Sequence, residues 1–286
     1  AAGKGLSGLE KRARVLGAAS RFLRTELPAD TRLIGISGRY EYHNKGIDVF
    51  LDALGGLEQD LKGSDRTVLA LCMVLGGYEE LDAAAVRGEA GANPAAPRIA
   101  THRLYHKEQD PILTACARLG LANGPGNRVK VIFIPAFLDG SDGFFNIPYY
   151  QVLSACDMGV FPSYYEPWGY TPQESAAFAV PTVTTDLAGF GLWAAAAGEQ
   201  EGVIVLRRKD RPDAEVAREL RDRLRTIATC GVDVIAARRK AARQIALNGT
   251  WDHFFPHYLQ AFERALDAAE KRSAQLMTAR RQRDLI

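Results

Sequence analysis

The chain has 286 residues, of which 47% are hydrophobic and 24% are charged. Its 36 lysines and arginines nearly balance 34 aspartates and glutamates, so the net charge offers no field for recruiting nucleic acid. No apolar run approaches the roughly 20 residues of a bilayer span, and the first residues lack the apolar segment of a signal peptide. We therefore expect a cytoplasmic globular protein with neither a nucleic-acid nor a membrane partner.

Four cysteines are widely spaced, at Cys72, Cys116, Cys156 and Cys230. Three of them fall in predicted strands or helices, which is typical of reduced core residues. Their positions agree with a cytoplasmic location.

The secondary-structure pattern alternates between strands and helices. A helix is predicted from about residue 6 to residue 27. Six short apolar runs then predict strands at residues 33–37, 67–75, 129–134, 158–161, 181–184 and 203–206. Helical periodicity separates them, as at 47–54, where Gly55 and Gly56 end the pattern. This alternation predicts an α/β fold with a doubly wound, Rossmann-like parallel sheet and flanking N- and C-terminal helices.

The chain divides by pattern into three parts. Residues 1–30 are predicted as an N-terminal helix and linker, residues 31–248 as the Rossmann-like domain, and residues 249–286 as a C-terminal helix with a basic tail. Within the domain, residues 76–98 are rich in alanine and glycine and predict a loop or excursion. The tail beyond residue 271 is predicted to fray.

The most informative stretch is 161–174, which joins a strand end, a turn and a helix start. Ligands bind at such junctions in open α/β sheets. The backbone N–H groups of Gly169, Tyr170 and Thr171 are predicted to form an anion site at the helix N-terminus, with Pro172 at the first helical position.

Two carboxylates belong to the same stretch. Glu166 precedes the turn and Glu174 lies about one turn into the helix. One can meet a reacting group while the other reaches a neighbouring hydroxyl. An ordinary capping carboxylate would also explain Glu174.

A second constellation follows the first predicted strand. Arg39 offers a planar fork and Lys45 a mobile point charge, which together suit a diphosphate. Gly38 and Gly46 would let the backbone approach a ligand closely. A solvated basic loop explains these residues in isolation, but the neighbouring Glu166 motif favours a phosphate site.

Three runs, 38–46, 161–174 and 184–191, resemble the glycogen synthases of the animal and fungal type, which are retaining glycosyltransferases of family 3. The likeness extends from about residue 9 to residue 268 and covers roughly the C-terminal half of the family's two-domain GT-B enzyme. It implies that this chain is the donor-binding domain, that residues 249–286 include the crossover helix, and that a missing N-terminal GT-B domain is a partner.

The resemblance also implies residue roles. The catalytic set is Arg39, Lys45 and Glu166, with the two cations on the donor's diphosphate and Glu166 at the glucose hydroxyls and the transition-state charge. The donor-binding set is Tyr149, Trp168, Gly169, Tyr170, Thr171 and Glu174. By their position, either Tyr149 or Tyr150 can stack on uracil, and in the family the aromatic residue that matches Tyr149 does so. The resemblance also implies that Glu174 binds the ribose hydroxyls. Packing on the sheet would explain the tyrosines equally well.

The implied reaction is transfer of glucose from a nucleoside diphosphate, most simply UDP-glucose, to the non-reducing end of an α-1,4-glucan such as glycogen. Fixed cations and a helix N-terminus can stabilise the leaving diphosphate. With no Asp-x-Asp motif in the chain, we expect no cofactor and no metal. The isolated chain is expected to bind donor weakly and make no polymer.

Two other functions stay open. One is a non-catalytic module that holds nucleotide sugar or glucan. The other is a related GT-B transferase using ADP-glucose or another sugar nucleotide. Association into a homo-oligomer also stays open.

Two histidine pairs, His102 with His106 and His253 with His257, have the i, i+4 spacing of a helical metal site. Neither has an evident third ligand, so no metal is expected there. His102 also lies in a segment that resembles the family's interdomain cleft.

A basic cluster precedes Trp251. In the family, a dense arginine helix at this point senses glucose 6-phosphate. The thinner cluster here is Arg238, Arg239, Lys240 and Arg243. A solvated helix face explains it equally well, so regulation by sugar phosphate stays open.

Overall fold

A computed structural model describes residues 6–89, 97–196 and 201–283, with side chains through residue 277. The strands are β1 (Arg32–Arg39), β2 (Val68–Leu75), β3 (Tyr78–Leu81), β4 (His102–Leu104), β5 (Val129–Phe133), β6 (Met158–Val160), β7 (Thr182–Thr185) and β8 (Val203–Leu206). The helices are α1 (Gly8–Leu23), α2 (Ile47–Asp60), α3 (Ala83–Val86), α4 (Pro111–Leu119), α5 (Tyr149–Ala155), α6 (Tyr170–Ala177), α7 (Gly189–Ala196), α8 (Asp213–Thr229), α9 (Val232–Asn248) and α10 (Trp251–Arg283).

The main sheet of the described chain has six strands in the order β5-β2-β1-β6-β7-β8. Every pairing in it is parallel, which confirms the predicted doubly wound sheet and its six strands. The chain moves outward from β1 to β2 and β5, and then returns to the other side of β1 with β6. The switch point therefore lies between β1 and β6, where open α/β sheets place their ligand crevice.

Both faces of this sheet are covered by helices. Successive side chains of β2 alternate between two apolar clusters, with Ala70 and Cys72 on one face and Leu69 and Leu71 on the other. The first face packs against α2, α4 and α8, and the second against α1 and α5. Burial of β2 on both faces explains why its sequence is continuously apolar.

The N-terminal helix begins with a capping box. The Ser7 hydroxyl accepts a hydrogen bond from the Glu10 backbone N–H, and the Glu10 carboxylate accepts one from the Ser7 backbone. Satisfying these otherwise unpaired donors sets the start of α1. Phe22 of α1 is fully buried, so this helix is part of the layer over the sheet.

The i, i+4 spacing of His102 and His106 does not place them on one helix, because His102 is in β4, which pairs antiparallel with β3, and His106 precedes the short 3-10 turn Lys107–Gln109. Two local predictions were wrong. Helix α2 does not end at Gly55 and Gly56 but continues to Asp60. The C-terminal segment also keeps its helical structure beyond residue 271, since α10 continues to Arg283. The predicted excursion at 76–98 contains β3 and α3 in its described part.

The chain separates into two compact units, residues 1–245 and 246–286. The first contains the sheet and both apolar clusters. The second contains α10, whose described side chains are almost all exposed. Among the described helices, none combines the length and apolar character that a bilayer span requires.

Candidate active site at the switch point

The loop from β1 to α2 carries both cations predicted to bind phosphate, in different settings. Arg39 ends β1, and its side chain is 74% exposed and paired with Glu41 at 2.7 Å. Lys45 lies one residue before Gly46, the N-cap of α2, and its side chain is only 14% exposed. Lys45 is therefore held within the site, while Arg39 lies at its surface.

This loop packs tightly against the loop that follows β6. Gly46 has a φ of +70°, and a Cβ added there would lie 2.1 Å from the Pro162 carbonyl oxygen. The Tyr164 backbone N–H donates to the Asn44 carbonyl at 2.7 Å. Gly46 is thus required for contact between two protein loops, whereas the sequence suggested close approach to a ligand.

Lys45 and Glu166 form an ion pair between these loops. The Glu166 side chain is 23% exposed, so both charges are partly withdrawn from water, where their attraction exceeds that of a surface pair. Two residues separated by 121 positions in the sequence are therefore in direct contact. The structure brings together one predicted phosphate ligand and the predicted sugar-binding carboxylate.

The loop after β7 supports Glu166 from the other side. Its backbone N–H donates to the Leu187 carbonyl at 3.2 Å, and its carbonyl accepts from the Gly189 N–H at 3.2 Å. A Cβ at Gly189 would lie 2.4 Å from the Pro167 carbonyl oxygen. Gly189 therefore allows close contact between two backbones.

The helix starts two positions earlier than predicted. Gly169 is the N-cap of α6 with a φ of +99°, and Tyr170 is the first helical residue, so Pro172 is the third. A Cβ built on Gly169 would lie 3.4 Å from the Glu166 Cγ. The N-terminus of α6, with Thr171 in its first turn, therefore lies beside the Lys45–Glu166 pair. The indole N–H of Trp168 donates to Gln173 Oε1 at 2.6 Å and braces this turn.

Two tyrosines and a carboxylate lie together near α6. The Tyr149 hydroxyl is 2.6 Å from the Ser37 hydroxyl of β1, and burial raises the pKa of Tyr149. Tyr150 is partly exposed and stacks on Phe178, with ring centroids 4.7 Å apart. Burial and the adjacent Glu174 carboxylate raise the pKa of Tyr150. Tyr149 is therefore anchored by its hydroxyl, and Tyr150 presents the more exposed ring.

Sequence reasoning missed Arg208, which follows β8. Its side chain is fully buried, its Nη1 donates to the Pro162 carbonyl, and its Nη2 donates to Asp213 Oδ1 at 2.9 Å. The available signal was a pair of arginines, Arg207 and Arg208, at the carboxyl end of a predicted strand. The carboxyl ends of the parallel strands lie at the same edge of the sheet as the switch-point crevice.

One group of potential metal ligands lies nearby in the described chain, formed by His43, Asp48 and Asp213. His43 Nδ1 is 2.7 Å from Asp48 Oδ2 and 3.9 Å from Asp213 Oδ2. The Arg208 guanidinium already neutralises part of the Asp213 charge, so hydrogen bonds and ion pairs account for this group. The expectation of a metal-free site stays a prediction.

The remaining candidate residues lie elsewhere. His102 is buried in β4 against the ring of Tyr78, 4.5 Å away, and its Nδ1 is 2.9 Å from the Thr101 hydroxyl. It lines a cavity of about 650 Å³ beside α4. His253 and His257 lie in α10 on exposed positions.

Two arginines of the basic cluster in α9 anchor that helix to backbone carbonyls of other elements. Arg239 donates to the Cys156 carbonyl at 2.5 Å and to the Ala179 carbonyl at 3.1 Å. Arg243 donates to the Ala177 carbonyl at 3.1 Å. These two arginines therefore have structural partners.

Comparison with known proteins begins with the fold. A crystal structure of HepE from Anabaena in complex with UDP and glucose superposes with a TM-score of 0.50 and 19% identity, covering 93% of this chain and 53% of that one. An α,α-trehalose-phosphate synthase (UDP-forming) from Burkholderia vietnamiensis gives a TM-score of 0.54 and 11% identity, with 93% and 52% coverage. The fold is that of a Rossmann-like half of a GT-B glycosyltransferase.

Sequence comparison identifies the family. The glycogen synthase family model matches residues 90–283, which is more than half of the chain. Human liver glycogen [starch] synthase is 32% identical over 213 residues, covering 56% of this chain and 30% of that protein. Isoform 2 from Saccharomyces cerevisiae is 30% identical over 220 residues, with 55% and 31% coverage. The chain belongs to the glycogen synthase family, and its matches span less than a third of the length of these relatives.

Proposed function

We propose that the chain is the donor-binding part of a glucosyltransferase that moves glucose from UDP-glucose to the non-reducing end of an α-1,4-glucan. The observation that carries this proposal is the Lys45–Glu166 ion pair at the switch point. It joins the two motifs whose resemblance to glycogen synthases implies diphosphate and glucose contacts. Membership of the family supports the same reaction.

The charge that develops during the reaction can be matched to side chains of this site. The bond from glucose C1 to the β-phosphate oxygen breaks, and a bond from C1 to the acceptor's 4-oxygen forms on the same face. The proton of the acceptor's 4-hydroxyl group is transferred to the departing β-phosphate oxygen. Negative charge grows on the diphosphate, and preorganised cations such as Lys45 and Arg39 stabilise it. The N–H groups at the start of α6 form the positive end of the helix dipole, which also favours the negative charge of the diphosphate.

The ion pair itself has a function in this scheme. Before the donor binds, Glu166 neutralises Lys45, so neither charge is left unpaired in a partly buried site. On binding, the diphosphate takes the ammonium group, and the carboxylate turns to the sugar hydroxyls. The exchange replaces one ion pair by another and adds hydrogen bonds to the sugar.

The proposed nucleoside position is beside Glu174 of α6, away from the Lys45–Glu166 pair. Glu174 is close to both Tyr149 and Tyr150, and we propose that it accepts hydrogen bonds from the ribose hydroxyls while a tyrosine ring contacts uracil. The HepE structure contains UDP and glucose, which supports a uridine nucleotide as the ligand of this fold. A glucan acceptor and an N-terminal GT-B domain complete the proposed partners, and the location proposed is the cytoplasm.

Calorimetric titration of the 286-residue chain tests the proposal. UDP-glucose, UDP and ADP-glucose are titrated separately in buffer containing EDTA. We expect UDP-glucose and UDP to bind with Kd values on the order of 0.1–1 mM, with ADP-glucose weaker. The Lys45→Met variant should lose this binding, whereas Lys62→Met, at an exposed position after α2, should keep it. Absence of UDP binding to the wild-type chain would sink the proposal.

A further inference from the structure

We propose that Arg208 is a positioning residue, whose buried guanidinium holds the Glu166 loop against the Lys45 loop and so sets the Lys45–Glu166 pair for the donor. This inference rests on the proposed function. It assigns Arg208 no contact with the substrate.

A buried guanidinium is a poor choice for stability alone. Arg208 is 1% exposed, and its Nε has no hydrogen-bond partner among the described residues. Withdrawing a charge from water is costly, and apolar side chains of similar volume often stabilise such positions better. The charge at Arg208 therefore points to a requirement other than packing.

The two ends of the guanidinium join different elements. One amino group donates to the Pro162 carbonyl in the loop just after β6, and the other donates to Asp213 in the first turn of α8, at 2.9 Å. The guanidinium carbon also lies 5.1 Å from the centre of the Tyr164 ring, within range of a cation–π contact. Arg208 thus holds the start of the Glu166 loop at two places, the backbone carbonyl of Pro162 and the side chain of Tyr164.

The atoms that Arg208 holds are those that contact the Lys45 loop. The Pro162 carbonyl is the group against which Gly46 packs, and the Tyr164 N–H donates to the Asn44 carbonyl. Lys45 lies between Asn44 and Gly46, while Glu166 is two residues beyond Tyr164. A shift of Pro162 and Tyr164 would therefore move Lys45 and Glu166 relative to each other.

A second link joins the same elements. Asp213, which accepts from Arg208, also lies 3.9 Å from His43 of the Lys45 loop, and the His43 ring packs on Tyr164 at 5.2 Å. Arg208 is consequently the buried member of a network that connects β6, α8 and the β1–α2 loop. A single guanidinium with a fixed fork can serve two such acceptors, which a lysine ammonium cannot do with the same geometry.

The test compares Arg208→Met with Arg207→Met, an identical replacement at the exposed neighbouring residue. The first measurement needs no donor. It follows the rate of reductive methylation of Lys45 by peptide mass spectrometry, with Lys62 as an internal reference. Because Lys45 is shielded by its ion pair, we expect Arg208→Met to raise its methylation rate about fivefold or more through local opening. Arg207→Met should leave the rate unchanged.

The second measurement is the Kd for UDP-glucose by calorimetry, with thermal unfolding recorded for each variant. We expect about tenfold weaker binding for Arg208→Met with cooperative unfolding retained, and wild-type binding for Arg207→Met. If Arg208→Met does not fold, Arg208→Lys is measured instead, and it should show the same changes in smaller degree.

Unchanged Lys45 methylation in a folded Arg208 variant would overturn the positioning role, whatever the binding result. If the wild-type chain fails to bind UDP-glucose while Arg208→Met still exposes Lys45, the proposed function fails and the positioning of Lys45 by Arg208 stands.

Discussion

Lys45 and Arg39 come from one loop and carry the same charge, yet their environments differ enough to predict different contributions. Lys45 is enclosed and paired with Glu166, whereas Arg39 is mostly exposed and paired with Glu41. Charge that is preorganised and partly desolvated stabilises a transition state more than solvated charge does. In the complete enzyme, Lys45→Met should lower kcat/KM by about two orders of magnitude.

Arg39→Met should have a smaller effect than Lys45→Met in the same steady-state assay. Arg66→Met, which removes a partly exposed arginine paired with Asp30, is the control and should behave as wild type. Equal losses for Lys45 and Arg66 would mean that Lys45 does not contact the donor.

The two carboxylates of the strand-turn-helix motif are predicted to act on different parts of the donor. Glu166 lies against Lys45 at the proposed sugar position, while Glu174 lies beside the two tyrosines. Glu166→Gln should lower kcat strongly and change the donor Kd little. Glu174→Gln should weaken UDP binding by about 1–2 kcal/mol, the scale of a charged hydrogen bond.

Titration of UDP into both variants, alongside turnover assays of the complete enzyme, separates these roles. Loss of UDP affinity in Glu166→Gln with retention in Glu174→Gln would reverse the proposed orientation of the donor on α6.

For single residues, the sequence was a better guide to which ones belong to the site than to the contacts that they make with one another. Lys45 and Glu166 were selected by short motifs, and the parallel sheet brings their loops together. Arg208 was missed because its importance depends on three loops meeting at one point, which no local pattern encodes. The direct pairing of Lys45 with Glu166 was not foreseen for the same reason.

The contact between the β1–α2 loop and the β6–α6 loop depends on Gly46. An alanine there would require both a positive φ and a Cβ within 2.1 Å of the Pro162 oxygen. Gly46→Ala should therefore reduce the free energy of unfolding by about 3 kcal/mol or more. Urea denaturation followed by circular dichroism measures the change.

Gly63→Ala is a matched control for Gly46→Ala. Gly63 has a similar positive φ, +76°, but nothing lies within 4 Å of its added Cβ. Only the backbone conformation is then unfavourable, at a cost of about 1–2 kcal/mol. Similar losses for both variants would show that the Pro162 contact gives way without penalty.

The sequence predicted the secondary-structure elements correctly where burial of apolar side chains was the dominant signal. The strands of the main sheet are largely buried, so most of them appear as short runs dominated by apolar residues. The β3–β4 pair was missed because its strands, YEEL and HRL, are only four and three residues long and contain no apolar run. The short strand that contains His102 is stabilised by pairing with β3, a tertiary contact that overrides local spacing.

Burial of His102 predicts a pH dependence for this small sheet. Desolvation lowers the pKa of His102 from its ordinary value of 6.5, and Asp142 only partly opposes the shift. As the pH falls below about 6.5, the unfolded chain binds the proton before the folded chain does. The contribution of His102 is therefore complete above that pH and declines below it, toward its folded pKa.

Urea denaturation between pH 5 and about 7.5 tests this dependence. The wild-type chain should lose stability toward pH 5, and His102→Gln should lose less over the same range. His106→Gln, at an exposed position, should follow the wild type. A slope unchanged by His102→Gln would assign the acid sensitivity to other groups.

At the scale of the whole molecule, stability is concentrated in residues 1–245. Both apolar clusters consist of residues up to Ile235, and the proposed donor site lies between β1 and β6. The second unit, 246–286, contributes no residue to either cluster as described. Burial of apolar surface is the main favourable term in folding, so the first unit contains what its own folding requires.

A chain ending at Ile245 should therefore unfold cooperatively, with a Tm within about 5 °C of that of the full chain, and bind UDP-glucose with an unchanged Kd. Differential scanning calorimetry and calorimetric titration measure these two properties. The complementary peptide, 246–286, should be only partly helical in water, because isolated helices lack the packing that stabilises them. Loss of cooperative unfolding in the shortened chain would show that the second unit belongs to the folding core, and loss of UDP-glucose binding alone would place part of the donor site within it.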